Sequence, residues 1–352
     1  MENKKVIITG VTGQDGSIMA DYLLKNTDHS VVGAVRRLSV KNHGNIAHLQ
    51  ENPRFRLIDL DVTDPQNTER VVEDESPSFF INFAANSFVG TSWKMPYNHM
   101  ETNCMAVLHQ LEALRKHAPR CHYYNAGSSE EFGDVVLTPQ CENHPLRPRS
   151  PYAVSKCAAR HLVKVYRESY DLYAVQGWLF NHEGVRRGEE FVTRKITTNT
   201  ARITTEYRSG KNMTPLELGN VDAQRDWSDA EDFVDGVWKM LNQDKAHCKD
   251  YVLSSNETHT IREFVERAFD CAGFSPADCR WEGKGENEKY YYKDLCIVKI
   301  NPIFYRPAEV QLLLGDSSKA REELGWHPNS NFSDLVRKMV INDITLYEQI
   351  NK

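Results

Sequence analysis

The chain alternates short apolar runs with longer amphipathic stretches. Val6-Ile7-Ile8 is unbroken and branched, and it ends at Thr9-Gly10. A run of that length without polar alternation predicts a strand buried on both faces, as in a parallel sheet. A helix is predicted over residues 17–25. Strands are predicted over residues 31–35, 56–58, 79–83, 122–125 and 173–179. Helical stretches lie between them, the longest over residues 152–170. Strands alternating with helices predict an α/β chain with a doubly wound parallel sheet. After Phe180 the rhythm breaks. Residues 181–188 are polar and contain glycine, which predicts a loop, and residues 191–209 return to a helical period. Shorter strands and helices follow, with a polar, charged stretch over residues 283–289. No repeat or low-complexity linker divides the chain. The expectation is a first domain over residues 1–180 and a smaller, interleaved C-terminal lobe over residues 181–352. Residues 216–240 and 296–312 are expected to return partly to the first.

Composition narrows the classes. The 352 residues suffice for one large α/β domain with an appended lobe, or for two domains. A formal net charge of −6 gives no global attraction to nucleic acid or to an anionic membrane. An anionic ligand must then be held by a local cluster of positive groups. No apolar run approaches the roughly 20 residues of a membrane span. The first residues lead directly into a strand-like run, which predicts no signal peptide. The eight cysteines are scattered, form no Cys-x-x-Cys pair and have no histidine cluster beside them. They are expected to be reduced thiols in a cytoplasmic protein, with no metal site.

Gly10-x-x-Gly13-x-x-Gly16 follows the first strand and opens the first helix. Alone the pattern is weak, because turns are rich in glycine. At this place it predicts a tight turn that brings backbone N–H groups and a helix N-terminus to a pyrophosphate. The candidates for cofactor binding are Gly10, Thr12, Gly13, Gln14, Asp15 and Gly16. The second strand ends at Arg36-Arg37 where an acidic residue is usual for a ribose. A guanidinium at Arg36 would pair with a 2′-phosphate and favour NADP over NAD. The alternative is an ordinary surface arginine at a strand end. Asp61 and Val62 follow the third strand, where they could touch the adenine. Ala84 and Ala85 end the next strand and let a dinucleotide lie close, although small residues there also suit plain packing.

Tyr152 stands four residues before Lys156, so both face one side of a helix. Tyrosine is a poor base at neutral pH because its free pKa is near 10. A neighbouring ammonium and a cationic nicotinamide favour the phenolate. The pair is therefore assigned to take a proton from a substrate alcohol and to hold the cofactor. Its bland reading is an exposed helical pair. Ser128 lies just past the C-terminal end of a strand, where open α/β sheets bind ligands, and can hydrogen-bond the same hydroxyl. Glu130 lies two residues on and supplies a carboxylate for a second proton abstraction, from carbon. Its bland reading is a helix cap or loop carboxylate. Glu131 is expected to be exposed.

Taken together, these residues resemble the extended short-chain dehydrogenases. The wider run is similar to the GDP-mannose 4,6-dehydratase family. It includes residues 9–17, Arg149-Ser150-Pro151-Tyr152-Ala153-Val154-Ser155-Lys156 and Phe180-Asn181-His182-Glu183. It continues through Arg186-Arg187-Gly188-Glu189, Phe191-Val192-Thr193-Arg194-Lys195, residues 219–227, residues 305–310 and the end from Leu313 to Trp326. The first two motifs are shared by many sugar-nucleotide enzymes, and the stretch from Asn181 to Lys195 is more specific. The similarity spans nearly the whole chain. It implies a Rossmann-type fold, bound NADP and a GDP-sugar substrate. It also implies oxidation at the hexose C4, loss of water across C5 and C6 with Glu130 as the C5 base, and hydride return to C6. Ser87, Asn181, Val192, Lys195, Arg225, Arg306 and Glu309 would hold the substrate.

The chain departs from the family at several positions. Gly127 stands where serine is usual. Glu131-Phe132 replaces an apolar residue and tyrosine, Asn86 and Phe88 replace glutamine and histidine, and Gly184-Val185 replaces serine and proline. Several of these positions are expected to line the sugar pocket. The segment following Arg37 is shorter than in relatives. In the family that segment builds a tetramer, so the resemblance implies a homodimer or homotetramer, with the dimer as the expectation here. Alternative readings are a dehydratase of a modified GDP-sugar such as a heptose, an epimerase or 4-keto-reductase that has no need of Glu130, and a non-catalytic dinucleotide-binding regulator.

Overall fold

The computed structural model describes residues 4–40, 42–245, 248–304 and 312–350. In the first half, β1 (Lys5–Thr9), α1 (Gln14–Asn26), β2 (Ser30–Val35), β3 (Phe55–Asp59), α2 (Pro65–Glu75) and β4 (Phe79–Asn82) alternate. α3 (Pro96–Met100), α4 (Ala106–His117), β5 (His122–Ala126), α5 (Pro151–Tyr170) and β6 (Ala174–Leu179) complete that half. Next come β7 (Asn181–Glu183), α6 (Val192–Arg208), β8 (Leu216–Leu218), β9 (Gln224–Arg225), β10 (Trp227–Asp229), α7 (Ala230–Leu241) and β11 (Val252–Leu253). Last are β12 (His259–Thr260), α8 (Ile261–Cys271), β13 (Cys279–Glu282), β14 (Lys289–Tyr292), β15 (Leu295–Ile300), β16 (Leu312–Leu313), α9 (Ser318–Leu324) and α10 (Phe332–Ile350).

The large sheet has seven parallel strands in the order β3-β2-β1-β4-β5-β6-β11. Alternate residues of β1 serve opposite helix layers, as strand geometry requires. Val6 and Ile8 pack with Met19 and Leu23 of α1 and Phe233 and Met240 of α7. Ile7 packs with Leu111 of α4 and Val163 of α5. The strand order reverses between β1 and β4, where open α/β sheets form a ligand crevice at their C-terminal edge.

A second core gathers α6, α8 and α10 against a four-stranded sheet of order β13-β14-β15-β8. Here the boundaries differ from the expectation. β8 and β15 pair with each other, so residues 216–218 and 295–300 belong to the smaller sheet. The chain returns to the large sheet through α7, which falls within the expected stretch 216–240, and through β11. Residues 181–188 are not wholly loop, because Asn181 to Glu183 pair in register with β10. Periodicity could not reveal a three-residue strand whose partner lies 46 residues on.

Candidate active site

The loop between β1 and α1 is shaped by close backbone approach. Gly10 has φ +67°, and a Cβ there would lie 2.8 Å from the Ala84 nitrogen. Gly13 precedes α1 without any side-chain cap, leaving first-turn N–H groups available to an anion. Thr12, beside it, is half-buried, and Gly16 is buried in the first turn of the helix. The Gln14 Oε1 is buried with no partner among the described residues. The tight loop and the open first-turn N–H groups fit a dinucleotide diphosphate, whereas the Gln14 oxygen calls for a donor.

Arg36 is exposed at the end of β2 and forms no ion pair among the described residues. Asp61 follows β3, and its Oδ1 accepts from the Thr63 nitrogen at 3.0 Å and the Thr63 hydroxyl at 2.7 Å. Val62 is mainly a core residue. Ala84 donates its N–H to the Thr9 hydroxyl, and Ala85 reaches the cleft wall.

A cleft of about 680 Å³ opens where the two cores meet. Its wall brings together Asp15, Ser87, Ser128, Glu130, Tyr152 and Lys156 with Asn181, Val192, Lys195 and Arg225. Arg306 and Glu309 lie outside the described residues. Of the departures named above, Phe88 and Gly127 line this cleft. Asn86 is turned away, its amide bonded to Asn98 and Thr102.

α5 begins where its sequence says it should. Ser150 caps it by accepting from the Ala153 nitrogen at 3.1 Å, and Pro151 occupies its first position. This places Tyr152 and Lys156 in the first two turns, both buried. Lys156 Nζ donates to the Ala126 carbonyl at 2.8 Å and stands 5.9 Å from the centre of the Tyr152 ring. Burial lowers the Lys156 ammonium to about 8, although Glu131 and Asp15 pull it upward. Burial raises the Tyr152 phenol well above its ordinary value, the Ser128 hydroxyl beside it pulls it back, and Glu130 and Glu131 raise it further.

Glu130 sits on a single 3₁₀ turn, Ser129–Glu131, capped by Ser128. It is half-buried on the cleft wall, and no hydrogen bond or ion pair engages its carboxylate among the described residues. It is therefore available to substrate. Glu131 corrects the expectation of an exposed side chain: it is fully buried and ion-paired to Arg160. Adjacent carboxylates on one turn gave no sign of which faces inward. The partner that decides it lies 29 residues away.

Three more groups join the site without having been assigned a role from sequence. His182 Nε2 bonds Asp15 Oδ2 at 2.9 Å, tying β7 to the cofactor loop. Arg187 pairs with Glu183 at 3.1 Å and lies 3.5 Å over the Phe191 ring on the cleft wall. Phe304 lies 3.5 Å beneath Lys195 Nζ. His182 and Arg187 stand inside the quoted motifs, and only their distant partners reveal what they do. Burial lowers the Lys195 ammonium, with Glu217 opposing. Among the described residues no cluster of histidine, cysteine or acidic side chains could hold a metal. No helix there is long and apolar enough to cross a membrane.

The doubly wound sheet, the glycine loop and the Ser–Tyr–Lys grouping define an extended short-chain dehydrogenase. The sequence model described as GDP-mannose 4,6 dehydratase matches residues 7–339. The chain belongs to the GDP-mannose 4,6-dehydratase family. It is 42% identical to the GDP-mannose 4,6 dehydratase of Drosophila melanogaster, covering 98% of this chain and 87% of that one. It is 40% identical to the enzyme of that name from Yersinia enterocolitica, covering 98% and 95%. Among solved structures it resembles a dTDP-glucose 4,6-dehydratase from Bacillus anthracis in complex with NAD, with a TM-score of 0.78, 19% identity and coverage of 98% and 97%. It also resembles RMD from Pseudomonas aeruginosa complexed with NADPH, with a TM-score of 0.73, 20% identity and coverage of 97% and 99%.

Proposed function

We propose that this chain is a lyase that converts GDP-mannose to GDP-4-keto-6-deoxymannose with tightly held NADP. The observation that carries the reading is the Glu130 carboxylate, unpaired among the described residues, on the same cleft wall as Ser128, Tyr152 and Lys156. When bound, NADP would supply hydride uptake at the hexose C4, hydride return at C6 and a positive charge that favours the phenolate. Tyr152, oriented by Ser128, takes the C4 hydroxyl proton. Lys156 keeps a positive charge beneath the phenolate. The C4 ketone acidifies the C5 proton, and Glu130 removes it as water leaves from C6. A proton returned to C5 completes the rearrangement with no net redox change.

Lys195 and Arg225 face the diphosphate, Asn181 offers an Oδ1 that is buried and unpartnered among the described residues, and Ser87 and Val192 shape the wall. Arg306 and Glu309 complete the substrate set by sequence position. Arg36, free of any carboxylate among the described residues, reads the 2′-phosphate. The reading makes the protein a cytoplasmic homodimer or homotetramer with no nucleic-acid or membrane partner. An epimerase would leave Glu130 without a task.

The test is incubation of purified enzyme with GDP-mannose, without added reductant, followed by mass and NMR analysis of the sugar. A 4-keto-6-deoxy product and no net NADPH consumption are expected, with NAD a poorer replacement for stripped NADP. A recovered C4 epimer would overturn the reading, and so would no turnover.

A further inference from the structure

Two departures from the family pattern, Gly127 and Glu131, meet at one buried ion pair. The Glu131 Oε2 accepts from Arg160 Nε at 2.5 Å, and Oε1 accepts from Arg160 Nη2 at 3.3 Å. Arg160 also donates from Nη1 to the Gln176 carbonyl at 2.8 Å and from Nη2 to the Gly177 carbonyl at 3.1 Å. Its guanidinium lies 3.4 Å over the Trp178 ring. Gly127 is the steric complement of the pair. A Cβ there would lie 2.6 Å from Arg160 Nη2, 2.7 Å from Glu131 Oε1 and 2.1 Å from the Gly177 oxygen.

The same Oε1 accepts the backbone N–H of Ser128 at 2.8 Å. It also ends a buried relay that crosses the large sheet one strand at a time. Thr9 donates to Asn82 at 2.6 Å, Asn82 to Asn125 at 2.8 Å, Asn125 to Gln176 at 2.6 Å and Gln176 to Glu131 at 3.2 Å. The first four side chains stand opposite one another in register on β1, β4, β5 and β6. Each link donates in the same direction, toward a charged acceptor, which strengthens the series. Its start touches the cofactor loop and its end touches the turn carrying Ser128 and Glu130.

We propose that Glu131, held by Arg160, is a positioning residue that fixes the Ser128 backbone, and with it the Ser128–Glu130 turn, against the cofactor loop. An apolar side chain at 131 would leave the Ser128 N–H without this acceptor. The proposal rests on the assignment of Ser128, Tyr152 and Lys156 to the chemistry. The charged and titratable groups around Glu131 are Arg160, Lys156, Tyr152 and Cys157 of α5, Tyr124 of β5, Asp250 before β11, Asp15 of the cofactor loop and Glu130 on its own turn. Glu131 holds both Tyr152 and Lys156 upward, so removing its charge moves both toward acid.

Two variants test this in the full chain. Glu131→Gln is expected to lower kcat about tenfold with KM for GDP-mannose nearly unchanged, the pattern of lost transition-state positioning. Both limbs of its kcat/KM profile should move to lower pH, which a purely structural role would not cause. Because Glu131→Gln strands a buried arginine, Glu131→Leu/Arg160→Leu removes both charges. Apolar replacement of a buried pair is often neutral or stabilising. The double variant is expected to fold, to lose about tenfold in kcat, and to exchange amide hydrogens faster across residues 126–132. Parent-like kcat and exchange in a folded variant would overturn the proposal, as would loss of stability alone or failure of both variants to fold. A parent chain that does not turn over GDP-mannose removes the functional reading instead, and amide exchange still decides the positioning.

Discussion

Glu130 and Glu131 are the same residue type on the same turn, and their surroundings divide them. Glu131 has an acceptor site filled by Ser128 N–H, Gln176 and Arg160. Glu130 has none of these and faces the cleft. Its replacement therefore disturbs few protein contacts and reports mainly on chemistry. Glu130→Gln is expected to lower kcat by about 10²- to 10⁴-fold, the usual worth of a general base. Its melting temperature and NADP affinity should match those of the parent. Deuterium from D₂O should no longer enter C5 of the sugar. A variant that turns over at the parent rate would remove Glu130 from the reaction.

At the scale of elements, α5 shows why much of the site was legible. Its start is written locally: Ser150 caps, Pro151 fits the first turn, and four-residue spacing then fixes Tyr152 and Lys156 on one face. Its end is set by Asp171 in the left-handed region at φ 55°. Ser150→Ala removes the side-chain acceptor for the Ala153 N–H and is expected to cost about 1 kcal/mol in urea unfolding, as helix caps do. A loss indistinguishable from zero would mean that another group satisfies this N–H. The glycine loop was legible for the same reason, because strand, turn and helix follow directly in sequence. What sequence could not show depends on distant partners. Glu131 meets Arg160 only because β5 and β6 pair and α5 packs beside them. The pairing of β8 with β15 joins segments about eighty residues apart and places both in the smaller sheet. Residue spacing carries local geometry; it carries no record of which buried carboxylate meets which guanidinium.

At the scale of the molecule, the two cores must hold the cofactor loop and the substrate wall in one register. Asp15 and His182 join them: Asp15 opens α1, and His182 lies on β7, where the chain leaves the large sheet. The His182 ring bonds two acceptors, the Phe180 carbonyl at 2.8 Å and Asp15 at 2.9 Å, so both nitrogens act as donors only in the charged form. Burial opposes that charge, but Asp15 outweighs it and raises the His182 pKa above 6.5. Burial likewise pushes Asp15 up, and His182 and Gln14 outweigh it to bring Asp15 down to about 2. A raised histidine stabilises the fold fully below its unfolded value of 6.5, and that contribution is lost as pH rises through the folded pKa. A depressed aspartate stabilises above its unfolded value of 3.8, and that contribution is lost as pH falls toward about 2. The pair therefore contributes most between pH 3.8 and 6.5. The melting temperature of the parent minus that of His182→Gln, measured without ligands, should be largest in that window and shrink toward alkaline pH. NADP affinity should follow the same course in the parent and flatten in the variant, because the pair anchors the loop that receives the diphosphate. A melting difference that stays constant from acid to alkaline pH would show that His182 acts by packing on Phe233, whose ring centre lies 4.6 Å away, and not by its charge.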